Sequence, residues 1–338
     1  MPRVGHNPMK LTRRSFVPSE VSVCTLVYIP ELTTYWAGAM DVLRACLETI
    51  QANSGDDFDL IVFDNGSCPE ACRYLEQLAD EGKIDILIRS AENHGKPGAF
   101  NVLFPACPGK YIAYTDSDVL FGPGWLDESL RVLKTFDNVG AVTGRPMRTM
   151  NSMRISNLSA TLAYADTAPN LAVERGPIMP QEYLDEHERS LGHHGSEIFH
   201  DPNYVDVRMT RGDVTAYASA SHFQFVMPRD VVMKLLPVST DRSLGGENEQ
   251  WDQRINELGL LRLSLSKPFV WHVGNTLDGQ EIALLKNVAN QQELARKIEA
   301  IEPKRQSLLT RFMRAAAQRP RGRRMIERAY ASLFEALR

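Results

Sequence analysis

Short apolar runs that stop at polar, turn-forming residues recur through the first 145 positions, and the stretches between them carry apolar residues at helical spacing. The first run, Val21-Ser22-Val23-Cys24-Thr25-Leu26-Val27-Tyr28-Ile29-Pro30, reads as a strand closed by a breaker. Met40, Leu43, Leu47 and Ile50 then fall at i, i+3, i+7 and i+10, one face of an amphipathic helix that carries the chain back across a sheet. The alternation continues, with strands predicted at 58–63, 84–88, 110–115 and 139–143 and helices at 69–81, 96–106 and 124–136. Such alternation through short linkers predicts an α/β fold, a Rossmann-like and mostly parallel twisted sheet flanked by helices. Its ligand site is expected beyond the carboxyl ends of the strands.

The second half is less regular. Residues 166–213 are rich in Pro, Gly, His and acidic groups and read as a long irregular loop with at most short elements, a length that usually signals function. Regular patterning returns with strands at 223–227, 261–265 and 269–272 and helices at 229–236 and 247–258. Toward the end, Leu308, Leu309, Phe312, Met313 and Ala316 share one helical face, and Met325, Ile326, Ala329, Tyr330, Leu333, Phe334 and Leu337 share another. Arginines flank both stripes, which suits either packing on the domain or a second subunit, or contact with an anionic membrane through 306–338.

Composition narrows the class. The chain has 338 residues, 43% hydrophobic and 24% charged, enough to bury a sizeable core. A net charge of −4 argues against a general nucleic-acid coat. The charge is uneven: residues 302–338 hold ten Lys/Arg against three Glu, a net +7, which leaves −11 for the remainder. Five cysteines without a Cys-x-x-Cys pair suit a reducing compartment, with Cys24 and Cys46 as small core residues and no chemistry assigned to Cys68 or Cys72. Residues 1–20 show no apolar stretch of signal-peptide type, and nowhere do eighteen uncharged apolar residues run together. The expectation is a cytoplasmic protein, with peripheral contact at the inner face of a membrane open to the basic tail.

The chemistry concentrates at strand ends. Tyr111-Ile112-Ala113-Tyr114-Thr115 empties into Asp116-Ser117-Asp118, two carboxylates at i and i+2 that offer hard oxygen ligands to a divalent cation carrying a diphosphate. Asp-x-Asp alone is a weak signal, because acidic turns after strands are common. Its neighbours strengthen it: 58–63 runs into Asp64-Asn65-Gly66-Ser67, and Asn93 follows the next strand.

The ordered set of Pro30, Asp64-Asn65-Gly66-Ser67, Asn93-His94-Gly95-Lys96-Pro97-Gly98-Ala99-Phe100-Asn101, the strand into Asp116-Ser117-Asp118, and Gly124-Trp125-Leu126 resembles the nucleotide-binding half of a family 2 glycosyltransferase of the GT-A fold. The similarity covers residues 20–145 well and 220–275 more loosely. It implies donor binding by Pro30, Asp64, Asn93, Gly95, Lys96, Asp116 and Ser117, with Asp64 toward the nucleoside and Asp116 and Asp118 holding Mn²⁺ or Mg²⁺ against the diphosphate. A solvated loop lysine is the alternative for Lys96. His272, in Val270-Trp271-His272-Val273, matches a position that completes the metal shell in many relatives.

Glu247-Asn248-Glu249, with Arg254 following, resembles the family's acidic helix start. Asn248 stands where aspartate is usual and cannot act as a base, so the role passes to Glu247 or Glu249. Helix capping is the compatible alternative for these acids. His187, His193, His194 and His200 have no ligand spacing and are expected on a surface or acceptor-facing loop.

These readings divide the chain into an N-terminal extension (1–19), a nucleotide-sugar-binding half (20–145), an acceptor-binding half (146–275) with the irregular loop at 166–213, and a helical, basic C-terminal extension (276–338). The implied function is a metal-dependent, inverting transfer of a sugar from a UDP- or GDP-linked donor to a saccharide, lipid-linked or other hydroxyl acceptor. A nucleotidyltransferase is the alternative, but Pro30-Glu31-Leu32-Thr33-Thr34 lacks the glycine-rich basic loop expected there. A non-catalytic sugar- or nucleotide-binding module is the other.

Overall fold

In the computed structural model, residues 17–149, 157–190, 197–240 and 246–277 are described. The expected helices within 306–338 and most of the N-terminal extension lie outside these residues. The chain starts with Val21–Val27 (β1), Ala39–Asn53 (α1), Phe58–Asn65 (β2), Pro69–Asp80 (α2), Ile86–Ser90 (β3) and Gly95–Ala106 (α3). Tyr111–Asp116 (β4), Val119–Phe121 (β5), Trp125–Thr135 (α4) and Val139–Thr143 (β6) complete the first half. There follow Leu158–Thr167 (α5), Ala172–Gly176 (β7), Gln181–Ser190 (α6), Glu197–His200 (α7), Asp206–Arg211 (β8) and Val214–Tyr217 (β9). The described chain closes with Gln224–Pro228 (β10), Arg229–Leu235 (α8), Gly246–Glu257 (α9), Leu261–Leu265 (β11) and Val270–His272 (β12).

Ten strands form one sheet in the order β3-β2-β1-β4-β10-β6-β11-β9-β8-β7, and β12 and β5 form a separate two-stranded ribbon. Strands β3, β2, β1 and β4 run parallel, as do β6 and β11. Strand β10 lies antiparallel between β4 and β6. The parallel strands read as unbroken apolar runs because both their faces are covered. Val21, Val23, Leu60, Val62 and Ala113 pack on one side with Leu43, Leu47 and Ile50 of α1 and Leu75 of α2. Cys24, Ile61, Phe63, Ile112 and Tyr114 pack on the other with Phe100 and Phe104 of α3, Val232 of α8 and Trp251 and Ile255 of α9. This is the α/β architecture expected, a central sheet flanked by helices on both faces. All five cysteines are buried and free, in keeping with a packing role for Cys24 and Cys46. No described helix is long and apolar enough to cross a membrane.

The 166–213 stretch departs from the irregular loop expected of it. It holds α6, α7 and the strands β7 and β8, which extend the sheet antiparallel from β9. The reason for the misreading is visible in β7, an edge strand with exposed Ala172, Glu174 and Arg175. It lacks an apolar alternation and pairs instead by charge: Glu174 faces Arg208 across the ladder, with Arg208 Nη2 2.7 Å from Glu174 Oε1. Beneath it the buried pair Arg148–Asp206, at 2.8 Å, ties the segment following β6 to β8, and Asp206 also accepts the Met179 amide.

Candidate functional site

The carboxyl ends of β1, β2 and β4 lie side by side, so the segments that leave them share one rim of the sheet. After β1, Ile29 is fixed to the turn following β2: Ser67 Oγ accepts the Ile29 amide at 3.1 Å and the Cys68 amide donates to Ile29 O at 2.7 Å. Pro30 therefore stands beside this turn. Gly66, at φ +84, allows the turn to close on the next loop, since a Cβ there would lie 2.9 Å from the Glu92 carbonyl carbon. Asn65 bridges the two loops, donating to Asn93 Oδ1 at 2.8 Å and accepting the His94 amide at 2.9 Å. Asn93 Oδ1 also accepts the Gly95 amide at 2.7 Å, fixing the start of α3.

Asp64 is fully buried. Its Oδ1 accepts the Ser67 amide at 2.9 Å, and its Oδ2 lies 3.1 Å from Cys72 Sγ and 3.6 Å from Arg89 Nε. This carboxylate shapes the turn that Asn65 and Gly66 present.

Lys96, in the first turn of α3, does not stand in solvent. Its Nζ lies 2.7 and 3.0 Å from the two oxygens of Asp116 and above the rings of Tyr114 (5.4 Å) and Phe100 (5.7 Å). Tyr114 donates its hydroxyl to Asp116 Oδ1. Burial, followed by the charge of Asp116, pushes the Tyr114 phenol well up, so it stays protonated as a donor. Ser117 forms the partly exposed turn to Asp118.

The ribbon brings the third group. Register pairs His272 with Val119, and the Val273 amide donates to Asp118 O at 2.9 Å, so a histidine 154 residues away arrives at the Asp-x-Asp turn. His272 Nε2 lies 3.0 Å from Asp118 Oδ2, and its ring stacks on Phe223 at 4.9 Å and 11°. Burial disfavours both charges. His272 nonetheless holds Asp118 below its usual range, and Asp118 raises His272, each favouring the other's charged form.

Asp116, Asp118 and His272 offer ligand atoms that all lie within 4.8 Å of one another. Asp118 Oδ1 is buried and has no hydrogen-bond partner among the described residues. An orphaned buried carboxylate oxygen next to two further donors fits a divalent cation, for such an atom otherwise carries a desolvation cost.

Of the sequence candidates, Asn93, Gly95, Lys96, Asp116, Ser117, Asp118 and His272 gather here, and Pro30 and Asp64 support the adjoining turn. Glu247 and Glu249 fall in the first turn of α9; the Glu247 side chain lies outside the described residues, and Glu249 has a polar partner of its own. The sequence reading missed Tyr114, concealed as a core aromatic, and Phe223. It also misplaced His187, which is 3% exposed and stacks on Phe223 at 5.6 Å and on His272 at 6.5 Å. Nothing in its spacing signals this. His200 is exposed and pairs with Glu188 at 2.9 Å, while His193 and His194 lie outside the described residues.

Residues 33–189 match the family model described as glycosyl transferase family 2. An uncharacterized glycosyltransferase of Nostoc sp. is 28% identical over 100 residues, which are 30% of this chain and 31% of that protein. The chain thus matches about a third of that relative's length. Among solved structures, the mannosyltransferase PcManGT of Pyrobaculum calidifontis, in complex with GDP-Man and Mn²⁺, aligns over 91% of this chain and 83% of its own. Its TM-score is 0.44 at 14% identity, a likeness too distant to carry inference. The family match takes in Asp64, Asn93, Gly95, Lys96 and the Asp116-Ser117-Asp118 turn, within a stretch just under half of the chain.

Proposed function

We propose that the protein transfers a sugar from a nucleoside diphosphate donor to an acceptor hydroxyl, with a divalent cation held by Asp116, Asp118 and His272. The observation that carries this reading is the unpartnered, buried Asp118 Oδ1 within a three-ligand group, at the strand ends of a family 2 domain. Two carboxylates and one imidazole form a donor set better suited to Mn²⁺ than to Mg²⁺, which prefers oxygen and water. When bound, the cation supplies Lewis-acid stabilisation of the diphosphate leaving group.

The protein's own groups do the rest. The Asp64–Ser67 turn, Asn93 and Gly95 form the wall on which a nucleoside would lie, with Pro30 at its edge. Lys96, which pairs with Asp116 at 2.7 Å, would offer its ammonium to the diphosphate of a bound donor. Attack by the acceptor oxygen from the face opposite the departing diphosphate gives inversion. The resemblance puts the base that receives the acceptor proton in the first turn of α9, at Glu247 or Glu249.

The test is release of nucleoside diphosphate from a panel of UDP- and GDP-sugars by the full-length chain, with Mn²⁺, with Mg²⁺ and with chelator. Mn²⁺-dependent turnover of at least one donor is expected. Cation-independent turnover would remove the role given to Asp116, Asp118 and His272, and binding without turnover would leave a sugar-nucleotide-binding module.

A further inference from the structure

Resting on that reading, we infer that the base for the acceptor hydroxyl is His222, oriented by Asp252, rather than a glutamate in the first turn of α9. The argument begins with Asn248. It holds the position where the resemblance expects a carboxylate, and an amide cannot take a proton. One turn further along α9, at i+4 and so on the same face, stands Asp252. Asp252 is 5% exposed, and its Oδ2 is anchored 2.5 Å from Nη1 of the buried Arg262 on β11. Its Oδ1 lies 3.0 Å from His222 Nε2. That oxygen has no hydrogen-bond partner among the described residues, so the buried carboxylate faces the ring across 3.0 Å as its electrostatic partner, favouring the charge the imidazole would gain on taking a proton.

His222 also stands where a base is needed. It immediately precedes β10, and its carbonyl lies 3.5 Å from Lys96 Nζ, the ammonium that holds Asp116. The next residue, Phe223, stacks on His272 and accepts the Asp116 amide at 2.7 Å. The 222–223 segment is therefore laced to two of the three candidate cation ligands. The His222 side chain keeps 23% of its surface exposed, while Asp252 behind it is closed off. An accessible imidazole backed by a buried, cation-anchored acid is the base-and-orienter pairing of nucleophilic enzymes.

In the step assigned, a lone pair of the acceptor oxygen forms the bond to the anomeric carbon. The bond from that carbon to the diphosphate oxygen breaks, and its electron pair leaves on the nucleoside diphosphate. The hydroxyl proton passes to the His222 imidazole, and Asp252, 3.0 Å away, stabilises the resulting imidazolium until a proton is lost to solvent. His222 is thus the catalytic residue, and Asp252 is the positioning residue.

The experiment compares the full-length wild type, His222→Ala and Asp252→Asn. The readouts are donor turnover with Mn²⁺, water serving as acceptor, and calorimetric binding of nucleoside diphosphate with Mn²⁺. His222→Ala is expected to lose about 10²- to 10⁴-fold in kcat, with donor KM and nucleotide binding unchanged within about threefold. Added imidazole is expected to restore part of the rate in His222→Ala and none in Asp118→Ala. Asp252→Asn is expected to lose about 10- to 100-fold in kcat with binding retained. Wild-type turnover in His222→Ala overturns the assignment, and so does joint loss of binding and turnover, which would make the residue structural. A deficit that imidazole does not repair overturns it as well. A wild-type protein inactive on every sugar nucleotide refutes the transferase reading itself, a result distinct from an active wild type matched by an active His222→Ala.

Discussion

Asp118 gives one carboxylate oxygen to His272 and keeps the other buried without a hydrogen-bond partner among the described residues, and that asymmetry sets the expected response to substitution. Asp118→Ala removes a proposed cation ligand at a strand-end turn without opening a core cavity. Its thermal unfolding should stay close to wild type while donor turnover falls by several kcal/mol of transition-state stabilisation, about 10³-fold. Wild-type turnover in this variant, with the fold intact, would exclude the site.

Lys96 answers differently, because it pairs with Asp116 at 2.7 Å and would compete there with the proposed cation. At its partial exposure the pair is worth roughly 1 kcal/mol. Lys96→Met should therefore bind Mn²⁺ several-fold more tightly in the absence of nucleotide, read by calorimetry, while donor turnover falls. Weaker Mn²⁺ binding in Lys96→Met would show that the lysine does not oppose the cation. At this scale the acidic pair was legible only in company: Asp-x-Asp alone is a weak signal, and the polar strand ends at Asp64 and Asn93 gave it weight. Tyr114 and Phe223 were not, because an aromatic in a strand looks the same whether it packs a core or steers a carboxylate.

Among the elements, the β5–β12 ribbon decides whether the site exists, since it alone carries His272 to Asp118. Strand β12 rests on Gly144 at the end of β6. A Cβ there would come 2.7 Å from Val270 Cγ1 and 3.2 Å from Gln224 Oε1, and Val270 is fully buried. Gly144→Ala should displace β12, costing about 1–3 kcal/mol of stability by overpacking and weakening Mn²⁺ binding together. A loss of stability with unchanged Mn²⁺ affinity would show that His272 does not reach the cation.

Sequence patterning found the parallel strands and their helices because burial on both faces writes continuous apolar runs into β1, β2 and β4. It missed β7 and α6. The first is an edge strand paired through Glu174 and Arg208, and the second buries only Leu184, His187 and Glu188 of its ten residues. Where charge pairs and a buried histidine do the work of apolar contacts, periodicity has little to report.

For the molecule as a whole, the candidate site joins parts of the chain that the sheet alone connects only indirectly. Asp116 and Asp118 close β4 and lead into β5, while His272 ends the last described strand, and the separation of 154 residues between Asp118 and His272 spans more than half of the described chain. A ligand that bridges them binds the native state and not the unfolded chain, so it stabilises by mass action. Saturation to about 100 times Kd corresponds to roughly 2.7 kcal/mol. Nucleoside diphosphate with Mn²⁺ should therefore raise the unfolding midpoint of the full-length chain, chelator should reverse the rise, and nucleotide without cation should give a much smaller one. Asp118→Ala should show none of the cation-dependent part. A chelator-insensitive rise of equal size in wild type and Asp118→Ala would place the nucleotide away from these three residues, on a surface that does not draw β4 and β12 together.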